Sequence, residues 1–181
     1  MKHPAQIFYI WQGGFVFYGG FIFAYFLAFL YARKFNLTFW LWHDTAAPVL
    51  AGGYALGRTA CFLAGCCYGK VCELPCGIST KQVHLHTGVE AAVTRHPTQL
   101  YATAIELLTL MFLLWYEKRK PKLGSVFLIW VALHSVGRIV METFRDDPRG
   151  GVHFGLSIST IISIALLLAA TAIFVKRKNQ A

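Results

Sequence analysis

The stretch Gly57-Arg58-Thr59-Ala60-Cys61-Phe62-Leu63-Ala64-Gly65-Cys66-Cys67-Tyr68-Gly69 sets an arginine inside an otherwise apolar run. An ionisable side chain there is expensive unless it is paired or reached by water. Two other stretches carry the same anomaly. Arg95-His96-Pro97 opens one apolar segment, and Arg138, Glu142 and Arg145 fall near the end of another. Charges kept this close to apolar segments point to a ligand, and arginines point to an anionic one of lipid character.

The surrounding composition sets the solvent. Of 181 residues, 56% are hydrophobic and only 14% charged, against about 25% charged in soluble domains. Several segments approach the roughly 20 uncharged residues that cross a bilayer. The expected fold is all-α, a polytopic transmembrane protein forming a single integral membrane domain over 1–181, with spans at about 13–32, 44–62, 97–116, 124–144 and 154–175. The first apolar run is long enough to remain as a span, not a cleaved signal. Pro48 is expected in the first turn of the second span, where its missing N–H costs little. The polar stretch 69–95 reads as an irregular extramembrane loop.

A formal net charge of +9 raises the question of nucleic acid, but the placement of the charges answers it. Nine of the seventeen Lys and Arg fall in three clusters, Arg33-Lys34, Lys118 to Lys122 and Lys176 to Lys178, each directly after an apolar segment. That is the positive-inside pattern, and no nucleic-acid motif accompanies it. Basic ends in the cytoplasm place the N-terminus, the 69–95 loop and the 145–153 turn outside. Arg58, His96 and Arg138 then share the outer side.

On the fourth span, His134, Arg138, Glu142 and Arg145 are spaced four, four and three, so they share one helix face. Two readings stand: a cationic site in which Glu142 holds an arginine, or an internal Arg138–Glu142 pair with Arg145 snorkelling to the interface. His96 precedes a helix-starting Pro97 and is either a cap or a site residue. Glu106, about a turn beyond Tyr101, implies that the third span faces a polar cavity. Tyr18-Gly19-Gly20 fits close helix packing as well as a site. All five cysteines, Cys61, Cys66, Cys67, Cys72 and Cys76, fall within sixteen residues. They lack the paired Cys-x-x-Cys of a zinc site. On an oxidising face, a disulfide among Cys66, Cys67, Cys72 and Cys76 is expected and no metal.

Taken in order, Ile10-Trp-Gln-Gly-Gly-Phe-Val-Phe-Tyr-Gly-Gly20, Asp44-x-x-Ala-Pro48, Gly57-Arg58 through Tyr68-Gly69, His96-Pro-Thr-Gln-Leu-Tyr101 and Gly137-Arg-x-x-x-Glu-x-x-Arg145 resemble the prolipoprotein diacylglyceryl transferase family, as does Gly155-Leu-Ser-x-Ser. The resemblance implies a multi-pass protein of the bacterial inner membrane with its site facing the periplasm. It implies transfer of the diacylglyceryl group from phosphatidylglycerol to the lipobox cysteine of a preprolipoprotein, forming a thioether and releasing glycerol phosphate. It needs no cofactor. Carried over by motif, Arg58, Arg138 and His96 are the catalytic residues; Tyr18, Gly19, Gly20, Gly69, Gln99, Tyr101, Glu142 and Arg145 contact substrate. The alternatives are a membrane redox or metal-handling protein using its cysteines, or an inactive lipid-binding homologue.

The sequence also departs from the family pattern. Cys61 and Ala64-Gly65-Cys66 stand where many members have Asn and Asn-Gly-Glu, Tyr18 replaces a common His, and Ala102 a common Glu. The family pattern further implies two spans ahead of the first glycine motif.

Overall fold

The computed structural model describes residues 16–73, 75, 77–83, 90–145, 152–153 and 156–179. The opening of the first glycine motif lies outside these residues, and although Tyr18, Gly19 and Gly20 fall within a helix, their side chains are not described.

Two compact units divide the chain, one reaching Trp42 and the other starting at His43. In the first, helix α1 (Val16–Lys34) ends in Arg33 and Lys34. It stops there because Asn36 takes a left-handed φ of 52°. The Leu37 N–H then reaches back to Ala32 O at 2.9 Å and the Asn36 N–H to Arg33 O at 3.2 Å, a Schellman closure.

Helix α2 (Phe39–Leu63) begins five residues before the expected span. Pro48 is therefore inside the helix and not in its first turn. Its ring leaves the Asp44 carbonyl without the usual helical donor. In the second unit, α2 presents Ala47, Ala51 and Ala55, all fully or nearly buried, at four-residue spacing. Small residues on one face let helices approach closely where no aqueous hydrophobic effect drives them together. Ala47, Ala51, Leu113 and Val126 form the core, flanked by Leu110, Tyr116, Phe127 and Trp130.

Helices α3 (Thr98–Glu117), α4 (Ser125–Thr143) and α5 (Ile158–Asn179) match the remaining expected spans to within four residues at each end. Over Thr98–Glu117, Ser125–Thr143 and Ile158–Arg177, all three are long and apolar enough to cross a membrane. Leu108, Met111, Leu166 and Leu168 are exposed, a surface suited to lipid. The molecule is an all-α membrane protein.

The 69–95 stretch is more ordered than its composition suggests. Strands β1 (Ile78–Val83) and β2 (Glu90–Arg95) pair antiparallel, Ile78 opposite Arg95. Val71 bridges Arg95, and Gly69 bridges Arg145 after α4. A short β3–β4 ladder (Val152–His153 with Leu156–Ser157) precedes α5.

At the opposite end of this unit, Asp44 is buried on α2 and its carboxylate accepts the N–H groups of Gly124 at 2.5 Å and Phe127 at 2.8 Å. Those N–H groups open α4 and have no intrahelical partner. Asp44 thus caps a helix eighty residues away in sequence, and its negative charge suits the positive end of that helix dipole. Nearby, the Arg177 guanidinium donates to Leu123 O at 2.8 Å, tying the end of α5 to the start of α4. Asp44→Ala should lower stability by about 1–2 kcal/mol, the range of a lost cap, and Asp44→Asn by less, since its amide oxygen still accepts. Thermal unfolding in detergent reads this; an unchanged midpoint for Asp44→Ala would remove the cap from the account.

Candidate functional site

At the end of α2, Gly65 adopts a φ of 68°. The Cys66 N–H bonds Cys61 O and the Gly65 N–H bonds Phe62 O, each at 3.1 Å. This second Schellman closure makes Cys61 and Cys66 the pair of positions that the motif brings side by side. Cys67 follows with a φ of 66°, a conformation uncommon for a residue with a β-carbon.

Neighbouring side chains hold the turn in that shape. Thr98 and Gln99, both fully buried in the first turn of α3, donate to its carbonyls: Thr98 Oγ1 to Cys67 O at 2.9 Å, and Gln99 Nε2 to Cys66 O. Chain 69–72 then continues as a strand-like segment. The Gly69 N–H bonds His96 O at 2.9 Å, the His96 N–H bonds Lys70 O at 3.0 Å and the Lys70 N–H bonds Phe144 O at 2.9 Å. Arg95 Nη1 donates to Gly69 O at 3.1 Å. Gly69, Gln99 and Arg145, which sequence reasoning places against substrate, thus sit in a clasp that joins the ends of α2, α3 and α4. Arg145 is buried there.

Below the clasp, a cavity of about 10 Å³, roughly one water molecule's volume, lies between α2, α3 and α4. Tyr54, Glu106, His134 and Arg138 supply its polar lining. His134 Nδ1 lies 2.5 Å from Glu106 Oε1. The second oxygen of this almost fully buried carboxylate has no hydrogen-bond partner. The Tyr54 ring meets His134 edge-on at 4.9 Å. Gly137 lets the wall close, since a β-carbon there would come within 3.0 Å of Ile105 Cγ2.

Arg138 donates from Nη1 to Glu142 Oε2 at 2.9 Å and from Nη2 to Ser159 Oγ at 3.0 Å. The expected Arg138–Glu142 pair is present beside the cavity, whereas Arg145 is buried in the clasp and does not snorkel to the interface. Arg58 lies over the Tyr54 ring, 5.6 Å from its centroid, and its buried Nε has no hydrogen-bond partner. His96 is not in the cavity wall. Its Nδ1 is 3.4 Å from the Tyr101 hydroxyl, and its ring packs edge-on against Phe144 at 5.4 Å.

Sequence reasoning noted Glu106 and His134 separately but missed their pairing. They lie on different helices, 28 residues apart, and no local spacing announces such a contact. No disulfide joins Cys61, Cys66, Cys67 and Cys72 to one another, and Cys76, the other candidate in the expected pairing, lies outside the described residues. The sulfurs of Cys61, Cys66 and Cys67 all lie within 4.8 Å of one another. Desolvation, then the neighbouring Cys67 and Cys61, pushes the Cys66 thiol up to about 11.

Gly69 shows how tightly the clasp is built. A β-carbon there would run into Phe144 O and come within 2.6 Å of Thr98 Cγ2, whereas one on Gly53 would meet nothing within 4 Å. Gly69→Ala should therefore cost about 1–3 kcal/mol through overpacking, with Gly53→Ala neutral or slightly stabilising. Unfolding midpoints of the two variants in detergent compare them directly, and equal midpoints would contradict a steric role for Gly69.

Comparison with known proteins gives a single direction. The family model described as prolipoprotein diacylglyceryl transferase matches residues 1–176. A phosphatidylglycerol–prolipoprotein diacylglyceryl transferase of Clostridium tetani is 37% identical over 168 residues, 89% of this chain and 63% of that protein. One from Legionella pneumophila is 34% identical over 172 residues, 93% of this chain and 64% of that protein. A third, from Clostridium perfringens, is 33% identical over 174 residues. The chain spans less than two thirds of the length of these relatives.

Proposed function

Because the chain belongs to the prolipoprotein diacylglyceryl transferase family, we propose that it moves a diacylglyceryl group from phosphatidylglycerol to the thiol of a prolipoprotein cysteine. The observation that carries this reading is an arginine held by a carboxylate against a small cavity that is also lined by a histidine–carboxylate pair.

The reaction needs three things: a thiolate, a glyceryl carbon open to attack, and a phosphate that can leave. Arg138 and Arg58 serve the phosphate. Their planar, permanently charged groups hold phosphate oxygens in register and offset charge gathering on the departing oxygen. Glu142 and Ser159 fix the direction of the Arg138 group. His134 takes the thiol proton, with Glu106 orienting its ring and stabilising the imidazolium. His96, expected among the catalytic residues, lies outside that cavity wall, beside Tyr101 and Phe144. As the thiolate attacks, the carbon–oxygen bond to phosphate breaks, and glycerol phosphate leaves with the electron pair.

The phospholipid enters from the bilayer and the prolipoprotein from the outer face of a bacterial inner membrane. That orientation follows the basic clusters. Reporter fusions after Lys122 and Lys178 should behave as cytoplasmic and one within 77–90 as external. A cytoplasmic 77–90 segment would put the site on the wrong side.

Arg58→Lys and Arg138→Lys should each reduce transfer about 10²–10³-fold, the cost of one lost transition-state donor, while membrane insertion stays normal. The assay follows lipidation of a lipobox peptide, using this chain alone and preceded by a relative's N-terminal third. Arg149→Lys should be mild. An active enzyme tolerating both lysine substitutions would exclude the phosphate clamp, and no transfer by either form would exclude the activity.

A further inference from the structure

We infer that the hydroxyls of Ser157 and Ser159 form a headgroup subsite that selects a phospholipid carrying a polyol on its phosphate. The inference deepens the transferase reading and rests on it for the phosphate held at Arg138.

Both serines come from the Gly155-Leu-Ser-x-Ser stretch, at the start of α5. Ser159 Oγ lies 2.9 Å from Ser157 Oγ, which lies 3.0 Å from Oγ1 of the buried Thr160. The three hydroxyls form one hydrogen-bonded run, and α4 closes one end of it. There Ser159 Oγ accepts from Arg138 Nη2 at 3.0 Å and donates to Glu142 Oε2 at 3.4 Å. Ser157 also has a local task, since its Oγ accepts the Thr160 N–H at 3.2 Å, as an N-cap does. That cap needs Ser157 alone. Ser159 carries the run from α5 across to the arginine.

The chemistry of the run fits an alcohol. Each hydroxyl has one donor and two acceptor sites and turns to suit its partner. A polyol headgroup donates and accepts in the same way, whereas an ammonium headgroup only donates.

The direction follows from the phosphate. A guanidinium has five N–H donors. Arg138 aims one at Glu142 and one at Ser159, which leaves others on the same fork for phosphate oxygens. The positive end of the α5 dipole favours the anion at the same place. A phosphate seated there sends its diacylglyceryl arm towards lipid, along apolar helices. Its polar arm stays beside Ser159, one hydrogen bond from the arginine. In a glycerol arm the two free hydroxyls sit on the second and third carbons, so they meet Ser159 first and Ser157 next. A headgroup without hydroxyls covers the run and returns no hydrogen bond, which costs affinity.

Dioleoyl phosphatidylglycerol and dioleoyl phosphatidylethanol isolate the headgroup. Both carry a single negative charge and the same acyl chains, but the ethyl arm has no hydroxyl. Each is titrated against the protein in detergent, reading the unfolding midpoint against lipid concentration. Each then serves as donor to a lipobox peptide, with this chain alone and preceded by a relative's N-terminal third. Phosphatidylglycerol should bind and react about tenfold better, the yield of two net hydrogen bonds. Ser159→Ala should cut that preference about 2–10-fold, the range of one such bond, while Ser159→Thr, which keeps the hydroxyl, should retain it. Ser157→Asn keeps a cap acceptor and should also lower the preference. A loosened Arg138 or a weaker helix start lowers the use of both lipids alike and leaves their ratio unmoved. The subsite is overturned if neither lipid binds, if the unsubstituted protein treats both equally, or if the ratio survives Ser159→Ala and Ser157→Asn. If no form transfers but binding keeps a preference that Ser159→Ala removes, the subsite stands and the transferase reading fails.

Discussion

Two side chains in the first turn of α3 hold the clasp end of the second unit together. Thr98 and Gln99 are fully buried, and they donate to the two carbonyls of a turn that no helix or strand would otherwise satisfy. Buried carbonyls without donors are costly in any protein and more so near lipid. Satisfying them from α3 fixes where α2 ends. That in turn fixes the bridge from Gly69 to Arg145 after α4. The candidate functional residues sit on three helices whose ends this clasp joins. At the other end, Asp44 does the same for α4. Both ends of the bundle are therefore secured by groups too polar to be left in hydrocarbon.

What could be read in advance follows from this physics. Long apolar runs bounded by basic clusters revealed five helices because hydropathy is a local property of the chain. The hairpin over β1 and β2 was not legible. Ile78-Ser-Thr-Lys-Gln-Val83 carries too few apolar residues to show an alternating face, and its partner lies beyond 84–89. Asp44 was visible as part of a motif but not as a cap, since its donors lie eighty residues on. The cysteines show the clearest limit. Zinc spacing rules describe short loops with two cysteines a fixed step apart. Here one sulfur comes from the last turn of a helix, and two come from a turn that reverses through left-handed residues at 65 and 67. Spacing alone cannot report that reversal.

The formal charges near the cavity explain how the helices tolerate them. Arg58 and Arg138 carry two positive charges, and Glu106 and Glu142 carry two negative ones. With His134 neutral, the set sums to zero, and each charge has a neighbour: Glu142 for Arg138, His134 for Glu106, the Tyr54 ring for Arg58. An apolar bundle can hold such a set without exposing net charge to lipid.

In the proposed reaction, arrival of a phosphodiester breaks that balance by one negative charge. In the proposed reaction the thiol proton moves to His134, which becomes positive and restores neutrality as charge builds on the leaving phosphate. Arg58 is placed to respond first, because its Nε is buried without a hydrogen-bond acceptor and gains one from phosphate, whereas Arg138 must share its group with Glu142 and Ser159. The two arginines are thus unequal. Arg138 is pre-oriented and adds little new bonding in the ground state. Arg58 begins underbonded and gains most from the anion. Binding of the phospholipid should therefore depend more on Arg58, and stabilisation of the departing phosphate more on Arg138.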